Sequence, residues 1–285
     1  MEEKSVIKPF EKMDEYLRSD DNKKRCAPFE DLCKKYMHLY DVYEDSFEKF
    51  FMDVSAEEYK REYSKGGATI HRGYYSPSCL DLVVGGCKRG KLLKNITKNN
   101  SFDYEYVFDI NGNMICSKKY SNDLNADALK NKEPYSIETF VYDQNKILSF
   151  EYDTKYRNIK VITECQYQDG LPIRFEKALI GFDNEIRGTV CGLDVEVIEY
   201  EDRLMKDLVW YHYTPSYVSI SGNDDMLKDF ACFENIPHGE ILEQNVYHFN
   251  RDEEGLLSTY TVESSNMYGE LQSSPHLYRV LVKRR

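Results

Sequence analysis

The hydrophobic period of this chain changes once, close to Gly67, and that change constrains the fold more than any other feature of the sequence. Before it, apolar positions recur with helical spacing. Phe29, Leu32, Cys33, Tyr36, Leu39, Tyr40, Tyr43, Phe47, Phe50 and Phe51 follow the i, i+3, i+4, i+7 pattern. Pro28 sits where a helix tolerates proline best, in the first turn, so the helix is expected to begin there. Ser55-Ala56-Glu57-Glu58 reads as a capping box that opens a second, short helix, ending at Gly66-Gly67. Another helix is expected over residues 9–18.

After Gly67 the period is 2. Ile159, Val161, Thr163, Cys165 and Tyr167 alternate with more polar neighbours, as do Leu193, Val195 and Val197 with Asp194 and Glu196. Tight-turn signals separate such runs: Asn111-Gly112, Gln144-Asn145, Asp169-Gly170, Glu201-Asp202 and the stretch Asp252 to Gly255. Hairpins that follow one another with no helical pattern between them form an antiparallel meander rather than βαβ units. The expected fold is therefore α+β, with N-terminal helices over residues 1–67 followed by an extended antiparallel β-sheet meander built from hairpins over 68–285.

Charge divides the chain differently. Of a formal net −12, residues 65–100 carry seven basic side chains and one acidic, while residues 101–285 carry 19 basic and 32 acidic. An electropositive island thus stands inside an acidic protein, a contrast that can orient a charged partner. The N-terminus has no apolar core of a signal peptide, and no run approaches the ~18–20 apolar residues of a membrane-spanning helix. Eight cysteines without C-x-x-C spacing read as reduced thiols, and the protein is expected to be soluble and cytoplasmic.

Phe102-Asp-Tyr-Glu-Tyr-Val-Phe-Asp109-Ile-Asn-Gly112-Asn-Met-Ile resembles one unit of the tyrosine–aspartate repeats of Rhs-type proteins. Phe140-Val-Tyr-Asp143-Gln-Asn-Lys-Ile147 and Glu199-Tyr-Glu-Asp202-Arg-Leu204 are similar. The resemblance implies a wide hairpin-built sheet. In size and acidity the chain also resembles the immunity proteins encoded beside polymorphic bacterial toxins, which implies a protein partner, a basic toxin.

Motifs for chemistry are sparse. Gly85-Gly-Cys-Lys88-Arg89-Gly90-Lys91 has the spacing of a phosphate loop. Leu92 stands where the magnesium-binding hydroxyl belongs, and too little helix follows. The alternative is a hairpin pairing Val83-Val84 with Leu92-Leu93, whose basic turn (Lys88, Arg89, Lys91) could hold an anion. Were the protein an enzyme, His71 and Arg72 would be its candidates, acting on a small anionic substrate in the basic 67–100 segment. The six histidines show no metal-ligand spacing, so neither metal nor cofactor is expected. No nucleophile elbow is present either.

Tyrosine is abundant, with 24 residues, and densest at Trp210-Tyr211-His212-Tyr213-Thr214-Pro215-Ser216-Tyr217. On a strand, Trp210 and His212 share one face and Tyr211 and Tyr213 the other. The sequence therefore leans toward a non-enzymatic protein-binding role. Its candidate contacts are Trp210, Tyr211, Tyr213, Tyr217, Glu199, Glu201 and Asp202, and its partner a basic protein such as a nuclease, whose charge would be drawn to the acidic sheet. A nucleic-acid ligand is disfavoured by the overall negative charge, and no membrane partner is expected.

Overall fold

The computed structural model describes residues 12, 15–56, 59–66, 78–83, 90–93, 102–124, 134–184, 186–215, 239–266, 268–272 and 274–280. The chain divides into two compact units: Met1–Lys35 with Val190–Arg285, and Tyr36–Thr189. Helix α1 (Asp20–Ala56) contributes its beginning to the first unit and its remainder to the second.

The start of α1 lies eight residues before Pro28. Ser19 caps it, its Oγ accepting from the amide of Asn22 at 3.2 Å, and Asp20 and Asp21 place negative charge on the first turn. Pro28 is thus an interior residue, contrary to the sequence expectation. Its ring lies on the exposed side of the helix with Lys24, where a carbonyl deprived of its amide partner can be hydrated. Asn22, Cys26, Phe29, Cys33, Tyr36, Tyr40 and Phe47 form one buried stripe along α1.

In the unit Tyr36–Thr189 the strands are β1 (Lys60–Lys65), β2 (Lys91–Leu93), β3 (Phe102–Phe108), β4 (Met114–Leu124), β5 (Ser136–Asp143), β6 (Lys146–Asp153), β7 (Asn158–Gln168) and β8 (Leu171–Ile180). All pairings are antiparallel, in the order β8-β7-β6-β5-β4-β3-β1-β2. The meander is regular from β3 onward. At its start, β1 inserts between β2 and β3, with the short helix α2 (Cys79–Val83) in the connection between β1 and β2.

β1 overturns the expected second helix. Ser55 belongs to α1, and residues 60–65 are extended. The segment escaped recognition because its inward residues, Glu62 and Ser64, are polar. Its register is held by other means: Ser64 Oγ donates to Tyr106 Oη at 3.2 Å, Arg61 pairs with Glu105, and Lys65 Nζ lies 3.1 Å from Asp103. The expected hairpin of Val83 with Leu92-Leu93 is likewise corrected. Val83 ends α2, while Leu92 and Leu93 pair with Ser64 and Tyr63. Gly90 leads into β2 because a Cβ there would lie 2.1 Å from the Gly66 carbonyl oxygen.

The other unit contains β9 (Val190–Glu201), β10 (Leu204–Thr214), β11 (Ile241–Arg251), β12 (Leu257–Ser264) and β13 (His276–Arg279), again antiparallel and in chain order from β9 to β13. The turn signals fall at strand junctions. Asp169 and Gly170 both have positive φ (52° and 77°), as two-residue hairpin turns require. Asp202 and Arg203 adopt the same conformation (50° and 63°) without any glycine, one residue later than the Glu201-Asp202 signal. On the face of the second unit that meets α1, Tyr43 stacks on Phe150 and Phe47 on Tyr152, both at 4.3 Å. Rings in this geometry contribute about 1 kcal/mol beyond their buried area.

Candidate functional site

The alternation read at 210–213 is what β10 shows. Trp210 and His212 stack at 5.8 Å on one face, while Tyr211 and Tyr213 contact Phe29 of α1 at 5.3 and 5.7 Å on the other. This division separates the proposed contact residues. Tyr213 is 1% exposed, and its hydroxyl donates to Glu240 at 2.7 Å, so it belongs to the core beneath α1 and offers no ring to a partner. Burial, then the hydrogen bond to Glu240, raises its hydroxyl pKa. Tyr211 is half-buried on the same side.

On the opposite face, register places Asp194 of β9 directly across from His212, with Nδ1 and Oδ1 2.8 Å apart. The His212 Nε2 lies 3.4 Å from Thr214 Oγ1. The hydrogen bond to Asp194 holds His212 above its ordinary pKa, against the opposing pull of burial. A second pair, His248 with Asp207 at 2.6 Å, lies on the α1 side of β10 and β11.

Glu199, Glu201 and Asp202 are exposed at the end of the β9–β10 hairpin. The β11–β12 hairpin ends on the same side, bringing Asp252, Glu253 and Glu254 beside them, and Arg251 reaches the Met205 carbonyl at 3.4 Å. Leu204 (43% exposed) and Leu256 (42%) belong to the same two hairpin ends. Six carboxylates against Arg203, Lys206 and Arg251 make an acidic end with an apolar element, the composition of an interface core and its rim.

Of the basic candidates, His71, Arg72, Lys88 and Arg89 lie outside the described residues, as does Tyr217. Lys91 is exposed at the start of β2, opposite Lys65. No convergence with the other basic residues is therefore on view. Among the described residues, no His, Cys, Asp or Glu cluster is arranged to hold a metal ion.

A polar network that sequence reasoning missed lies in the second unit, on the sheet face opposite Phe150 and Tyr152. Lys119 Nζ of β4 lies 2.6 Å from Glu151 Oε1 of β6, which also accepts from Ser136 Oγ at 2.6 Å. Beside them Glu138 of β5 accepts from Ser149 Oγ at 2.9 Å, and that hydroxyl lies 2.6 Å from Thr163 Oγ1. Burial pushes Glu138 up to about 7. Burial acts in the same direction on Glu151, but Lys119 outweighs it and holds that carboxyl below its usual value. Lys119 would be lowered by burial and is raised instead by Glu151 and Glu138. Ser117, in register with both Tyr106 and Glu138, is buried, and its hydroxyl has no hydrogen-bond partner. The available signal was positional: Ser136, Glu138, Ser149, Glu151 and Thr163 share one strand parity. That pattern marks a polar face, but not a buried one.

No family model matches the chain, and no curated protein matches it. Solved structures that it resembles include a porin-like protein from Bacteroides uniformis, at 10% identity over 61% of this chain and 86% of that one, with a TM-score of 0.16. At that score the likeness bears on neither fold nor function. No helix among the described residues is long and apolar enough to cross a membrane.

Proposed function

We propose that this chain is a non-enzymatic binding protein of the immunity type, which occludes a basic, nuclease-like toxin in the cytoplasm. The observation that carries the reading is the pair of adjoining hairpin ends, β9–β10 and β11–β12, where six exposed carboxylates and the exposed Leu204 and Leu256 occur together. Carboxylates at such an end steer a cationic protein into encounter, and leucines among them supply area that gains from leaving water. A toxin that grips phosphate presents the complementary charge. The reading shifts the contact surface from the aromatic stretch of β10 to the hairpin ends, retaining Glu199, Glu201 and Asp202 and releasing Tyr213. Cys26, Cys33 and Cys116 are buried thiols, which suits a reducing compartment.

The test uses the full chain as bait in a lysate of its native cell, beside a variant carrying Glu199→Lys, Glu201→Lys and Asp202→Lys. A basic protein retained by the wild type, released by about 0.5 M salt and lost with the variant is expected. Equal retention by both baits would overturn the assignment of the surface, and no retained basic protein would overturn the function.

A further inference from the structure

The β3–β4 hairpin carries a residue that its own turn does not need. Asp109, Asn113 and Gly112 are accounted for locally. The Asp109 carboxylate accepts from the Asn113 amide at 2.7 Å and from Asn113 Nδ2 at 3.1 Å, and Gly112 takes the positive φ of 84°. Ile110, between them, is 99% exposed. A β-branched aliphatic residue has no turn propensity to justify that position, and leaving it in water forgoes its burial energy.

Beside this isoleucine opens a cleft of about 810 Å³ whose walls include Tyr59, Lys60 and Phe108, with the hairpin itself as its lip. Lys60 Nζ lies 5.8 Å from the Phe108 ring centroid and 3.1 Å from Glu62, so the cleft has an apolar side and a cation at its rim. Hydrogen bonds from Asn113 and Asn111 outweigh burial and hold the Asp109 carboxyl below its ordinary value, so it is charged at neutral pH.

Among the described residues, one small patch therefore contains an apolar projection, an apolar recess, the carboxylate of Asp109 and the cation of Lys60, which Glu62 contacts from its own strand. A surface used by two identical copies across a two-fold axis must be complementary to itself, and this inventory meets that condition. We propose that the hairpin end is a self-association surface. In the resulting two-fold dimer, each copy's Ile110 enters the other's cleft between Tyr59 and Phe108, and each Lys60 faces the other's Asp109. The second copy is favoured over a small ligand because the recess and the group that fills it occur side by side, with Lys60 and Asp109, of opposite charge, both lining the cleft. A contact built on one hairpin and one cleft lies at the small end of protein interfaces, so a weak, concentration-dependent dimer is expected.

Sedimentation velocity on the full chain from about 5 to 300 µM tests this, beside Ile110→Asp. Because Ile110 is fully exposed, the variant should keep the wild-type denaturation midpoint, measured as a control for folding. A concentration-dependent dimer that the variant weakens at least about tenfold is the expected result. A wild type that stays monomeric throughout overturns the proposal. So does a dimer of unchanged strength in Ile110→Asp, which would place the contact elsewhere.

Discussion

Two ionisable side chains in mid-strand, one in each unit, are pushed upward in pKa for opposite reasons. His212 is partly open to water, and its hydrogen bond to Asp194 favours the charged imidazolium. Glu138 is buried, and the loss of water favours its neutral form, up to about 7, although Lys119 and Ser149 pull the other way. A partner within hydrogen-bond reach outweighs burial where water remains. At Glu138 burial outweighs the partners, whereas at Glu151 in the same network Lys119 outweighs burial. The consequences for stability nevertheless share a sign. The His212 contribution is fully present below its unfolded value of 6.5 and is lost as pH rises through the higher folded value. Glu138 costs nothing below 4.5, where folded and unfolded states are both protonated. Its penalty accumulates between 4.5 and about 7 and is complete above that. Both regions favour mild acid.

The sharpest way to break the comparison is to remove the cation of the buried network. Lys119→Met leaves Glu151 without its closest cation and Glu138 without its main electrostatic relief. A loss of about 3 kcal/mol at pH 7 is expected by chemical denaturation. A loss below about 1 kcal/mol would mean that water reaches the network and that the contrast with His212 is false.

Glu138→Gln tests the burial argument without emptying the site, since an amide oxygen can still accept from Ser149. It should raise stability at pH 8 by about 3 kcal/mol, because the buried carboxyl is charged there in a site that favours its neutral form, and change it little at pH 4. An equal effect at both pH values would rule out a titrating carboxyl as its source.

The smallest effect belongs to the open pair. Asp194→Asn should cost less than about 1 kcal/mol at pH 6, because water and salt screen a half-exposed ion pair. It should also lower the His212 pKa, which NMR titration of the ring protons would read. An unchanged titration would show that Asp194 does not set the charge of His212.

How far the sequence was legible follows from the range of the forces involved. Asp169-Gly170 is a turn because two consecutive residues must take positive φ, and that requirement is met within the dipeptide. The division of Trp210 and His212 from Tyr211 and Tyr213 is equally local, since neighbouring strand residues point apart whatever surrounds them. β1 was not legible. Lys60-Arg-Glu-Tyr-Ser-Lys65 has no apolar alternation, and it is a strand because β3 offers Arg61 a carboxylate and Ser64 a phenol. The sequence expectation starts α1 at Pro28 because proline is tolerated best in a first turn, whereas the structure starts it at the Ser19 cap and runs the buried stripe from Asn22 to Phe47 past Pro28.

Alone, the amino-acid order determined the antiparallel hairpins, the positions of their turns, the helical stripe and the acidic balance, all of which depend on neighbours a few residues apart or on composition. Tertiary structure decided which tyrosine of the 210–217 stretch is core, which carboxylates stay wet, and that Glu138 titrates near neutrality. Those properties depend on what covers a face and how much water it retains, and elements distant in the chain set both.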